Sequence, residues 1–216
     1  MKKDVNLYAA ADRAIKAMNR ENVEAFGRLK LAKWDELSVI RTVKAVYRKA
    51  DQRARKRYYE IAFEAYLLGM AMCGEEPKKA HRMAEKAIDE EFIDDMLSET
   101  DFVTMYRYDT EIERKMYRLA EAIETGVNTN AEIDKALRFL SLMLGQYALN
   151  ATDHAVVQAF VDYGVEMVEW ITAEDERVCS ECRALDHQVF PLDEVPPKPH
   201  WGCRCRLRPV FRQTED

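Results

Sequence analysis

Glycine and proline are scarce in this chain, with seven and six in 216 residues. So few turn-formers argue against an all-β fold, which needs a turn every few residues, and favour long helices. No apolar stretch approaches the 18 residues of a membrane span. No apolar run follows the opening Met1-Lys2-Lys3-Asp4-Val5-Asn6, so no signal peptide is expected. Gly-rich phosphate loops, G-x-S-x-G and H-E-x-x-H are missing. A net charge of -6 does not suit a general nucleic-acid binder, although a local basic face is compatible with it. With these classes set aside, a chain that is 48% hydrophobic and 33% charged is long enough to bury a core as one or two domains.

What the chain does have is helical periodicity. Leu7, Ala11, Ile15 and Met18 share a stripe over 5–20, and a second short helix is expected over 22–32; both could be arms or core. Asp35 is placed to N-cap the longest element. There Val39, Val43, Val46, Ala50, Ala54, Tyr58, Ile61, Ala65, Leu68 and Met72 are spaced by threes and fours, the period of one helix face, up to a stop at Gly74. Its outer face is basic: Arg41, Lys44, Arg48, Lys49, Arg53, Arg55, Lys56 and Arg57. That face suits DNA or an acidic partner. The plainer alternatives are solvation, or pairing with the acidic run Glu85, Asp89, Glu90, Glu91, Asp94, Asp95, Glu99 and Asp101, within a subunit or between copies.

Further helices are expected over 78–98, behind Pro77, and over 110–124, with Ile112, Met116, Leu119 and Ile123 inward. After a turn at Gly126-Val127-Asn128, another helix carries Ile133, Leu137, Leu140 and Leu144, and the pattern continues through Ala155 and Ala159. Thr110/Glu113 and Thr129/Glu132 read as capping boxes, Gly145 and Gly164 as breaks. The grammar then changes. Residues 165–170 alternate apolar and polar, as a strand does; 188–190 and 204–210 are short strand candidates. Prolines at 191, 196, 197 and 199 exclude helix between them. The fold class expected is therefore mainly α. An elongated helical bundle with a long central helix (1–164) carries a small C-terminal α+β or β, zinc-ribbon-like cap (165–210) and a polar tail (211–216).

Four of the five cysteines fall in the cap. In a cytosolic setting such clustering points to a metal more than to disulfides or free thiols. Zinc takes four thiolate or imidazole ligands in a tetrahedron. Cys179-Ser180-Glu181-Cys182 is one knuckle; His200-Trp201-Gly202-Cys203 repeats its i, i+3 spacing. Cys205, on the same side of a strand as Cys203, competes with His200 for the fourth place. Metal binding would supply much of the folding free energy of so small a module. With donors to spare and no base beside them, a structural zinc is expected rather than a catalytic one. The zinc-deaminase order of H-x-E before C-x-x-C is not met. Leu185-Asp186-His187 after C-x-x-C has an HNH-nuclease flavour, but the following Asn/His pair is missing and His187 reads as a turn residue. His81, His154 and Cys73 read as ordinary surface or core residues. Trp170, Phe190 and Trp201 read as packing for the cap.

The ordered set Trp170, Thr172, Asp175, Arg177, Cys179, Cys182, Leu185-Asp186, Phe190, Pro197-x-Pro199-His200, Cys203-Arg204-Cys205 and Pro209 resembles the C-terminal signature of the phage Mu F-like minor head proteins. These are also described as the SPP1-type head morphogenesis family. The likeness covers about forty residues, and the earlier ones agree only in helical character. His187 stands where the family usually has Gly, Gly202 where it often has Asn, and Ala151-Thr152-Asp153 where it often has Arg-Thr-Glu. The resemblance implies a non-enzymatic minor capsid component of a phage virion. It would act with portal, capsid and scaffold proteins in the host cytoplasm during head assembly and reside in the head interior or near the portal, without membrane contact. The second reading is a nucleic-acid-binding or HNH-like nuclease zinc module using the basic face of 41–57 with Arg204, Arg206, Arg208 and Arg212.

Overall fold

The computed structural model describes residues 6–30, 36–104 and 108–211. Two long helices form its spine: α2 (Glu36–Cys73) and α6 (Thr129–Tyr163), about 57 and 53 Å long at 1.5 Å per residue. The expected stripe of α2 is the one it buries, from Val39 to Ala65, with Val46, Leu68 and Met72 half-buried beside it. Gly74 ends the helix with φ +87°, a conformation other residues adopt at a cost. The two helices approach closely where Gly69 faces Ala159 and Val156; a Cβ on Gly69 would sit 2.8 Å from the Ala159 methyl. Alanines 136, 148, 151, 155 and 159 of α6 keep neighbouring helices near along its length.

The helix α1 (Ala9–Gly27) lies across both. One helix covers the ground where two short ones are expected, followed by a single 3-10 turn at Arg28–Lys30. Asn22 caps nothing. It is buried, and its Oδ1 accepts from Arg53 of α2. α1 is thus core, not an arm. Asp35, and the tail 212–216, lie outside the described residues.

The helix expected over 78–98 is two helices, α3 (Pro77–Ala87) and α4 (Glu90–Thr104). Pro77 opens the first as expected, and the Glu76 carboxylate accepts from Lys79 N. The break comes at Ile88, extended and buried, and Asp89 Oδ1 accepts from Phe92 N (2.9 Å) to start α4. α5 (Tyr108–Thr125) begins two residues ahead of Thr110, so Thr110 is not its N-cap. Thr129 is not an N-cap either. Its hydroxyl donates to Ala122 O (2.7 Å), tying off the preceding helix, while Asn128 in the left-handed region makes the turn. Gly145 breaks nothing. α6 runs through it to Gly164, because its neighbours on both sides are buried against other helices.

The basic stretch of α2 pairs less with the acidic run than expected. Arg55 meets Asp94 (2.6 Å), whereas Arg53 and Arg57 pair with Glu21 of α1 (3.2 and 3.5 Å).

Past Gly164 the chain forms β1 (Met167–Ile171), α7 (Ser180–Leu185), β2 (Val189–Pro191) and β3 (Arg206–Val210), in an antiparallel sheet of order β2-β1-β3. Val168 pairs with Phe190 and Pro209, and Trp170 with Leu207. Val165 and Val168 join the helical core, whereas Trp170, further along the strand, packs on the cysteines. No described helix is long and apolar enough to cross a membrane.

Candidate metal centre

Each knuckle is shaped by its own backbone. Cys179 is the N-cap of α7, and its Sγ accepts from Cys182 N (3.3 Å). A short helix after C-x-x was not legible in the sequence, but it places the two sulfurs of an i, i+3 pair on one side. In the second knuckle Gly202 has φ +70°, which lets the chain reverse between His200 and Cys203. His200 Nδ1 bonds Trp201 O (2.9 Å), which turns Nε2 toward Cys182 Sγ, 3.7 Å away. A metal-binding imidazole is held in just this manner, one nitrogen on a carbonyl and the other free to ligate.

All five donors named from the sequence come together. Cys179, Cys182 and His200 form one group, and Cys182, Cys203 and Cys205 another, with Cys182 in both. Cys182 Sγ is 3.5 Å from Cys203 Sγ. Bonds of about 2.3 Å to zinc in a tetrahedron place sulfurs about 3.8 Å apart, so these separations fit ligands of one ion. All five cysteines are free thiols.

The two groups differ in setting. Cys182, Cys203 and Cys205 are buried under Trp170, whereas Cys179 is half-buried and His200 exposed. A thiol hydrogen bond from Cys205, helped by Lys198, pulls the Cys203 thiol down to about 5 against the effect of burial. Burial and neighbouring sulfurs push Cys182 up to about 12, and the bond given to Cys203 raises Cys205. The Cys182 N–H lowers Cys179, and the Trp201 carbonyl raises His200. Trp170, whose ring packs in the same cluster, has its Nε1 buried without a partner. The donor set, the spacing and the fixed imidazole fit zinc, which Cys182 with three of Cys179, His200, Cys203 and Cys205 would hold.

The cluster is fastened to the helices by residues the sequence reading passed over. Tyr8, at the start of α1, has its hydroxyl 2.8 Å from Cys205 O and 2.7 Å from Asp153 Oδ1 of α6. Lys198 Nζ donates to Asp153 Oδ2 (2.5 Å), Tyr8 Oη (2.8 Å) and Cys203 O (3.3 Å). Gln146 of α6 accepts from Gly202 N (2.8 Å). Burial first, then the Asp153 carboxylate, raises the Tyr8 phenol well above its ordinary value, so it is a neutral donor. A lysine enclosed by Pro197 and Pro199, and an Asp in the alanine-rich stretch 148–159 of α6, are the signals that point here. Trp201 and Leu207 pack on the helical core, so Trp201 is a bridge rather than cap interior.

The remaining histidines are not ligands of this cluster. His187 sits in the turn before β2 with φ +60°, and its Nδ1 bonds Glu169 Oε1 (2.7 Å), whose other oxygen pairs with Arg208. Asp186 accepts from Thr172 N (2.9 Å), closing the same turn. His81 and His154 pair with Glu85 and Glu99 on helix surfaces.

Residues 110–208 match the family model described as Phage Mu protein F like protein. That span covers nearly all of α5, all of α6, and the cap with all five donors. No curated protein and no solved structure gives a significant match.

Proposed function

From the match of residues 110–208 to the Phage Mu protein F like family model, we propose that the chain belongs to that family and is a structural component of phage head morphogenesis. In this reading it joins the portal and the capsid or scaffold proteins in the host cytoplasm and stays in the virion, inside the head or beside the portal. The observation that carries it is the coincidence of the family match with the metal centre and the α6 helix on which that centre is built. The reading is non-enzymatic. Five donors compete for four positions, so no position is left over for a water, and the neighbouring Lys198, Asp153 and Tyr8 are engaged with one another.

Zinc bound here would supply a cross-link. Cys179 and Cys182 come from α7, His200 and Cys203 from the turn before β3. Tyr8 and Lys198 then relay the position of the cysteine backbone to α1 and α6. The long helices are left as the surfaces that meet assembly partners.

Co-expression with the portal protein encoded by the same phage tests the assembly role. A stable complex that survives gel filtration is expected. Failure to co-purify with portal, capsid or scaffold, together with metal-dependent cleavage of DNA, would replace this reading with the nuclease-like one. Metal analysis of protein prepared without chelator is expected to return about one zinc per chain. Loss of that zinc in C182S, whose sulfur belongs to both donor groups, locates it.

A further inference from the structure

The outer face of α2 carries a charge pattern that the fold does not neutralise. With 3.6 residues per turn, Arg41, Lys44 and Arg48 lie within about 40° of Arg55 around the helix, so the four form one stripe roughly 21 Å long. All four are exposed. Only Arg55 has carboxylate partners, Asp51 and Asp94 (2.6 Å to the latter); Arg41, Lys44 and Arg48 have no ion pair among the described residues. Lys44 Nζ lies 5.7 Å from the centre of the Tyr117 ring, a large side chain left 48% exposed at the positive end.

On α4, Glu90 and Glu91 lie within about 60° of Asp94 around the helix. Both are exposed and without an ion pair among the described residues. The Arg55–Asp94 contact therefore joins two stripes of opposite sign side by side on one surface. One end of the surface is positive, the other negative, and each faces solvent unpaired.

We propose that this surface binds a second copy of the chain. A two-fold axis near the Arg55–Asp94 junction sets the basic stripe of each copy over the acidic stripe of the other. Self-complementary patches are what a two-fold interface requires, since every contact is made twice. An acidic partner would leave Glu90 and Glu91 unmatched, and DNA would meet them as like charges; a second copy neutralises both ends at once. The inference rests on α2 and α4 and is independent of the metal centre.

Sedimentation of the full chain in low and high salt tests it, because contacts between exposed charges weaken once screening shortens their reach to about 10 Å or less. A dimer that dissociates with rising salt is expected. R41E/R48E and E90K/E91K each keep the Arg55–Asp94 pair, and each alone is expected to be monomeric with an unchanged far-UV spectrum. Mixing the two should restore a heterodimer, since the reversed basic stripe opposes the reversed acidic one. A wild-type monomer at both salt concentrations overturns the proposal, as does a dimer that R41E/R48E leaves intact. Salt-sensitive binding of duplex DNA by a chain that stays monomeric would assign the stripe to nucleic acid instead.

Discussion

At the scale of single residues, three glycines with the same sequence appearance do different things. Gly69 lies at the α2–α6 crossing, where an added Cβ meets the Ala159 methyl at 2.8 Å and Val156 backbone atoms at 3.4 Å. Neither neighbour can swing away. Gly145 lies mid-helix with nothing within 4 Å of where a Cβ would go. Gly202 has equal space but a positive φ. G69A is therefore expected to destabilise by about 1–3 kcal/mol through overpacking, and G145A to stabilise by about 0.5–1 kcal/mol through chain entropy and helix propensity. Thermal unfolding of the two variants should shift in opposite directions. Gly145 looks like a helix break in the sequence because a glycine's cost is local and visible. The burial on both sides that carries α6 through it is neither.

Among the elements, the sheet shows how a surface ion cluster ties strands together. Glu169 of β1 sits between His187, ahead of β2, and Arg208 of β3. Partial burial pushes its carboxyl up, but the bonds from His187 and Arg208 outweigh it and hold the group below its ordinary value; His187 is raised chiefly by the same bond to Glu169. A depressed carboxylate stabilises above its unfolded pKa and loses that contribution as the pH falls. A raised imidazole stabilises below its unfolded pKa and loses it as the pH rises. Both contributions are complete only between the ordinary values of 4.5 and 6.5. The fall in melting temperature that E169Q causes, followed by tryptophan fluorescence, is therefore expected to be largest in that window. An unchanged pH profile in E169Q would show that the cluster contributes nothing. The strands themselves were legible from alternation at 165–170. Helix α7 was not, because its six residues are too few for a period, and its start depends on a cysteine sulfur acting as the N-cap.

Across the whole molecule, metal centre and helical body are mechanically one piece. Cys203 and Cys205 present their sulfurs to the candidate metal cluster and their carbonyls to Lys198 and Tyr8. Removal of the metal by a chelator is therefore expected to loosen α1 as well as the cap, seen as faster amide exchange over 9–27. Y8F keeps the ring and removes the hydroxyl, costing about 1–2 kcal/mol. It should leave zinc content unchanged while raising exchange in α1 of the metal-bound protein. Exchange in α1 that ignores both chelation and Y8F would separate the two parts.

The sequence by itself determined the helical class, the buried stripe of α2, the three strands and all five metal-ligand candidates. Each of these is written in local spacing: threes and fours for a helix face, alternation for a strand, i, i+3 for a knuckle. It also carried the ordered Cys/His motif, which lies within the span that matches the Phage Mu protein F like family model. Only the tertiary structure decided that α6 runs unbroken past Gly145, and that the helix over 78–98 divides at Ile88. It alone made Thr129 finish one helix instead of starting the next. It also joined Tyr8, Asp153 and Lys198, far apart in the chain, behind the cysteines. Those outcomes depend on which groups are buried against which, a property of pairs of distant segments that no window of one chain contains.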